Sequence, residues 1–255
     1  MDAFRRAARV AATGIAGTVA GTGLGVAYLA ASTTLITPIP RDDALWQSKT
    51  LKKLNHLENP VLADICIKRI PLSKIRPELA ADEAALTAEF ARGVWSGWGE
   101  YSTKCLPTAG EREPQVSKLT YLPAFEPQRW LFTKIYRTPE NSHLRFSRRE
   151  IAGCTFELGT EFIDQFEVVE RSRHAITVRE GGSPRDLGPR EVDGLITTTA
   201  KIDREAGEVE LTLSTRFFKG GEKVTDGSMP VPYLVERLHY IYARALVQSG
   251  SSALR

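Results

Sequence analysis

Between residues 156 and 250 the chain runs through a series of short alternating stretches and closes on one amphipathic helix, and this order limits the fold more than any other feature. In "EVELTLSTRFF", Val209, Leu211, Leu213, Thr215 and Phe217 fall on one face, and Glu210, Thr212, Ser214 and Arg216 on the other. Successive side chains of a strand point to opposite faces, so the pattern predicts an antiparallel sheet with one buried and one wet face. "HAITVRE" and "VDGLITTTAKID" read the same way, and "DREAGE" supplies the hairpin turn before the last strand. "VSKLTYLPAF", "RWLFTKIY" and "GCTFELGTEFIDQFEVVE" are also read as strands. The closing "PVPYLVERLHYIYARALVQSG" starts at Pro232, sets Leu234, Leu238, Ile241, Tyr242 and Ala245 on one side, and is expected to stop at Gly250. Such a helix must bury its stripe against the sheet, which makes the chain α+β.

Upstream, "ADICIKRIPL" alternates Ile65 and Ile67 with polar neighbours and reads as a strand. "RPELAADEAALTAEFARGVW" reads as a helix: Pro77 suits a first turn, and Leu79, Leu86, Phe90 and Val94 line one side. Gly93, Gly97 and Gly99 break it near Trp95 and Trp98.

The N-terminal segment has no charged side chain between Arg9 and Arg41, which is long enough to cross a bilayer core as a helix. It is richer in Ala, Gly and Thr than in Leu or Ile, so its insertion is only mildly favourable. Gly17, Gly21 and Gly25 recur at every fourth residue, a small-residue face through which two such helices pair as a homodimer. "GTGLGV" is not a dinucleotide loop, because no strand precedes it and no acidic residue follows at about 20 positions. Two readings of the segment stand, a single-pass anchor and a mitochondrial presequence, the second because Arg5, Arg6 and Arg9 stand among alanines. The anchor reading divides the chain into an anchor at 1–37, a linker at 38–60 and a folded domain at 61–255 that is cytosolic. In the linker, Trp46 with Lys49, Lys52 and Lys53 suits either the lipid headgroup level or packing on the domain.

Composition excludes several functions. The net charge is +3 with both signs interspersed, so the basic face that nucleic acid requires is missing. Cys66, Cys105 and Cys154 are far apart and form neither a zinc spacing nor a disulfide framework. His56, His143, His174 and His239 form no HxH or HxxxH pair, and no motif calls for a metal or a cofactor.

The order strand, helix, antiparallel run, closing helix resembles the START-like (helix-grip) superfamily. The resemblance spans roughly Ala63 to Ser249 and rests on "GTEFIDQFEVVERSRHAITVRE", "GLITTTAKIDREAGEVELTLSTRFF" and the closing helix. "TLITPIPRDDALWQSKTLKKLNHLENP" and "FARGVWSGWGEY" further resemble proteins of filamentous fungi with the same kind of hydrophobic leader. The resemblance implies a curved sheet wrapped round a long C-terminal helix and an apolar cavity. It implies a hydrophobic small molecule, a polyketide, terpenoid or lipid-like compound of secondary metabolism, either carried or guided through a cofactor-free cyclisation or isomerisation. The competing reading is a non-catalytic anchored assembly protein with a filled core. Cavity volume separates the two, since small-molecule sites begin at roughly 300 Å³.

Two residues are candidates for proton transfer. Strict alternation puts Asp164 on the same face as Phe156, Leu158, Phe162, Phe166 and Val168, where burial raises a carboxyl pKa toward general acid or base use. The alternative is a bulge that turns Asp164 away, or pairing with an arginine such as Arg179. His239 borders the apolar stripe of the closing helix beside Tyr242 and is placed at the cavity mouth. Trp95, Trp98, Tyr121, Trp130, Phe162, Phe166 and Tyr242 are the expected substrate-binding aromatics.

Overall fold

The computed structural model describes residues 23–97 and 124–255. Its centre is a seven-stranded, curved antiparallel sheet in the order β1-β2-β7-β6-β5-β4-β3. The strands are β1 (Thr34–Ile36), β2 (Val61–Pro71), β3 (Glu161–Phe162), β4 (Phe166–Arg171), β5 (Ala175–Glu180), β6 (Asp193–Asp203) and β7 (Glu208–Phe218). The helices are α1 (Gly23–Ser32), α2 (Lys49–Leu54), α3 (Pro77–Ala81), α4 (Glu83–Ser96), α5 (Glu126–Tyr136), α6 (Arg148–Ala152) and α7 (Tyr233–Ser252).

The alternating rows read from the sequence form the strongest part of the sheet. β7 pairs without interruption with β2, from Val61↔Phe218 to Pro71↔Glu208, and with β6, from Asp193↔Phe218 to Asp203↔Glu208. The β6–β7 turn closes at Gly207, whose φ of 66° is a backbone state that glycine adopts without a Cβ clash. Inward residues Leu62, Cys66, Ile70, Leu211 and Leu213 join Leu86, Phe90 and Val94 of α4 and Leu246 and Val247 of α7 in one core.

α7 runs past Gly250 to Ser252, because that glycine is a packing site and not a stop. A Cβ on Gly250 would lie 2.6 Å from the Phe90 ring, and one on Gly93 would lie 2.9 Å from the Gly250 Cα. Two glycines thus let the α4 and α7 backbones touch, and Ser249 Oγ donates to the Gly93 carbonyl at 3.0 Å. The buried stripe of α7 is also rotated from the expected one. Tyr240, Tyr242, Ala243, Leu246 and Val247 are buried, whereas Leu234 is exposed.

The outer face of the sheet is wet only at one end, where Arg69 pairs with Glu210 in solvent. Ile36, Ile39, Leu45 and Trp46 pack over Ala63 and Ile65, and Leu51 packs on Leu195 and Phe218. The N-terminal arm therefore forms a second layer, and Ser214 and Arg216 lie buried beneath it. Trp46 packs on the domain and donates its indole N–H to the Pro40 carbonyl at 2.8 Å. Thr34–Ile36, the end of the expected anchor, pairs with Ile65–Ile67 as an edge strand. No helix among the described residues is long and apolar enough to cross a membrane. Gly17 and Gly21 lie outside the described residues, and Gly25 is exposed on α1.

Two segments expected as strands differ. "RWLFTKIY" belongs to α5, where Glu126 and Pro127 occupy the first turn and favour helix, and Gln128, Phe132 and Tyr136 recur at helical spacing. "GCTFELGTEFIDQFEVVE" begins at the end of α6 and passes through turns before β3 and β4. Phe156, Ile163 and Asp164 have φ of 53°, 60° and 54°, and a left-handed residue ends the two-residue repeat on which alternation depends. Most of "VSKLTYLPAF" lies outside the described residues, and its Phe125 precedes α5.

Candidate active site

A cavity of about 190 Å³ lies between the inner face of the sheet and helices α4, α5 and α7. Its walls are apolar: Leu62, Trp95, Phe132, Phe166, Leu213 and Leu246. At about 30 Å³ per liquid water it has room for about six waters, less than the roughly 300 Å³ at which small-molecule sites begin. Among the described residues the space fits a compact molecule or one end of a longer one.

One wall is polar, and the strand register builds it. Asp64 of β2 is the direct cross-strand partner of Thr215 of β7, so both side chains leave the same face side by side. The Thr215 hydroxyl donates to Asp64 Oδ1. From α7, His239 Nε2 reaches the same carboxylate oxygen at 2.8 Å and Thr215 Oγ1 at 3.0 Å. A carboxylate only accepts, so Nε2 carries a ring proton, and Nδ1 holds a lone pair when the ring is neutral and a second proton when it is the imidazolium. Nδ1 has no hydrogen-bond partner among the described residues, and the Phe217 ring holds the imidazole edge-on with centroids 5.2 Å apart. Asp64 is fully buried, and its Oδ2 has no hydrogen-bond partner.

Glu180, at the end of β5, lines the same cavity. Burial raises its carboxyl pKa from 4.5 to about 7, opposed by the charges of His239 and Arg190 and reinforced by Asp193. For His239, burial is the largest single influence and lowers the pKa. The charge and hydrogen bond of Asp64, with Glu180 and Glu236, outweigh it, so the net shift is upward. Burial holds the Tyr242 phenol well above its usual range, and its hydroxyl donates to Gln128 Oε1. Both Tyr242 and Gln128 line the cavity.

Of the expected site residues, His239, Trp95, Phe166 and Tyr242 meet at the cavity. Phe162 sits one layer back, stacked on Phe166 with centroids 5.0 Å apart. Trp130 is 59% exposed on α5 and does not line the cavity. Trp98 and Tyr121 lie outside the described residues.

Asp164 is corrected from a catalytic to a structural position. It is buried, but in the β3–β4 turn, where its left-handed backbone directs the side chain away from the cavity. There it accepts from Asn141 Nδ2 at 2.8 Å, Ser183 Oγ at 2.7 Å and Arg185 Nη2 at 2.6 Å. Arg179 instead forms a two-bonded pair with Asp193, at 3.0 and 2.6 Å.

Sequence reasoning passed over Asp64, Glu180 and Gln128, and it placed Thr215 on the apolar face without assigning it a role. The signal was present for three of the four. Asp64 stands in the row Leu62, Cys66, Ile70, and Glu180 in the row Ile176, Val178, so each is a carboxylate at a core-facing position of its strand. Among the described residues no group of three or more His, Cys, Asp and Glu side chains is placed to hold a metal. No family model matches the chain, and neither the curated proteins nor the solved structures give a match.

Proposed function

We propose that the chain is a START-like, helix-grip protein that takes a compact hydrophobic small molecule into its cavity and isomerises or cyclises it without a cofactor. The carrying observation is that Thr215 and His239, both bonded to the buried Asp64, line a mainly apolar cavity together with Glu180. A carrier needs apolar walls alone, whereas a buried carboxylate that orients a histidine serves proton transfer. The START-like reading is supported by the strand order, with β2 next to β7 and the long α7 packed across both.

We further propose that the uncharged N-terminal segment attaches the domain to a membrane from which apolar molecules partition, with a mitochondrial address as its alternative. Carbonate extraction of membrane fractions separates an integral anchor from a removed presequence.

The cavity size favours a second reading, a non-catalytic anchored interaction protein with a nearly filled core. Native mass spectrometry of the protein from its own host distinguishes them. A retained apolar molecule, lost on denaturation and lost in His239→Trp, is the expected result. Protein of bare mass that also fails to take up any apolar probe removes the enzyme reading.

A further inference from the structure

The polar groups of the cavity narrow the chemistry beyond isomerase or cyclase, and the narrowing rests on the small-molecule reading above. No Lys or Arg stands among the described lining residues, and His239 is the one cationic group there, already engaged with Asp64, which favours an uncharged substrate. Among the described residues no Cys or Ser lines the cavity, and the Thr215 hydroxyl is held between Asp64 and His239, which leaves no free thiol or hydroxymethyl nucleophile among them for covalent catalysis. Besides Tyr136 and Gln165, the polar groups that remain are a lone pair and two donors. The lone pair is His239 Nδ1. The donors are the Glu180 carboxylic acid and the amide N–H₂ of Gln128, whose oxygen is occupied by Tyr242. Two titratable groups on one cavity, each carried on a different element, form the pattern of paired acid and base.

We propose that the cavity catalyses a proton shift in a compact, uncharged β,γ-unsaturated carbonyl compound, with His239 Nδ1 taking the proton from the carbon beside the carbonyl and Glu180 donating to the carbonyl oxygen. As the C–H bond breaks, its electron pair forms the enol C=C bond. The carbonyl π pair takes the Glu180 proton, giving a dienol, a carboxylate and an imidazolium. The imidazolium then returns its proton to the γ carbon, the double bond moves into conjugation, and Glu180 recovers the O–H proton. Atoms and electrons balance without an oxidant, a reductant or water. Asp64 stabilises the imidazolium and acts as a positioning residue. The charged groups around the pair are Asp64 from β2, Glu236 from α7, and Arg190 and Asp193 from the β5–β6 side.

The test uses the full chain in heavy water with the β,γ-unsaturated isomer of cyclohexenone as probe. Absorbance follows the conjugated product, mass spectrometry follows deuterium uptake, and saturation-transfer NMR reports binding separately. Saturable conversion above the buffer rate is expected, with His239→Gln and Glu180→Gln each slower by about 100-fold while retaining native circular dichroism. A probe that binds but neither isomerises nor exchanges overturns the proton shift and leaves the binding reading intact. A probe that neither binds nor reacts overturns both. If a Gln variant fails to fold, the wild-type pH profile decides. The rate is expected to fall above about pH 7 as Glu180 loses its proton, and to fall on the other side as His239, whose pKa is raised, gains one, so activity is confined to a narrow maximum near neutral pH; a flat profile overturns the inference.

Discussion

Two buried aspartates, one hundred residues apart, answer opposite needs. Asp164 sits in the β3–β4 turn and receives three donors from two separate segments, Asn141 from one and Ser183 and Arg185 from the other, all of which stay protonated near neutral pH. Asp64 sits in one of the two longest uninterrupted pairings of the sheet and has one oxygen shared by a threonine and a histidine and the other without a partner among the described residues. The saturated carboxylate ties loops together and has no capacity left for a ligand. The unsaturated one is tolerable only because its partner titrates, so its electrostatic balance changes with the proton on His239. Burial alone therefore does not mark a catalytic carboxylate; the completeness and kind of its partners do.

Exchanging the roles experimentally tests this contrast, and the largest effect belongs to the cavity. His239→Gln is expected to slow turnover about 100-fold or more, equivalent to roughly 3 kcal/mol of barrier, while Asp164→Asn leaves the rate per folded molecule unchanged. Steady-state kinetics on both variants checks it, and equal losses would erase the distinction.

Stability should follow the reverse order for Asp164. Asp164→Ala strands Asn141, Ser183 and Arg185 and is expected to cost about 2–3 kcal/mol, reduced from a fully buried pair because Arg185 is half exposed. Urea denaturation checks it, and a loss below about 0.5 kcal/mol would show that the turn does not depend on the carboxylate.

Glu180 gives an effect of similar size that depends on pH. Its folded pKa of about 7 lies above the unfolded 4.5, so the native state holds a proton there that the unfolded state releases. Its burial costs nothing below pH 4.5, and stability falls as pH rises to about 7 and stays lower above it. Glu180→Gln is therefore expected to stabilise the protein above neutral pH by up to about 3 kcal/mol and to do nothing in acid. Thermal melts across pH read the difference, and a gain that does not vary with pH would contradict it.

The smallest effect is the most direct reading of the pair. His239 titrates above its unfolded value of 6.5, so its coupling to Asp64 stabilises the fold fully below that pH and is lost as pH rises through the folded pKa. Asp64→Asn should lower the His239 midpoint in an NMR titration and confine its destabilising coupling term to the acidic side. An unchanged midpoint would mean that the two side chains are not coupled in solution.

The parts of the fold that were legible in the sequence are those in which one row of side chains meets one core. β5, β6 and β7 carry intact two-residue alternation, and α4 carries its four apolar residues at helical spacing. α5 was not legible, because Trp, Phe, Ile and Tyr favour strands by type and only the Glu126–Pro127 start and the Gln128, Phe132, Tyr136 spacing point to helix. Asp164 was misplaced for a definable reason, since two successive left-handed residues end the alternation that its assignment assumed. His239 and Tyr242 were legible as the border of a helical stripe, though Leu234 in that stripe proved exposed.

The sequence by itself determined an α+β chain whose antiparallel strands must be covered by a closing helix, and it set Thr215 on a core-facing row. Those are consequences of local periodicity, which depends on neighbours two to four residues away. Only the tertiary structure decided that His239 meets Asp64 across 175 residues, that two glycines bring α4 against α7, and that the N-terminal arm covers the outer face of the sheet. These depend on register and helix rotation, and a shift of one residue in either reverses which side chains face one another.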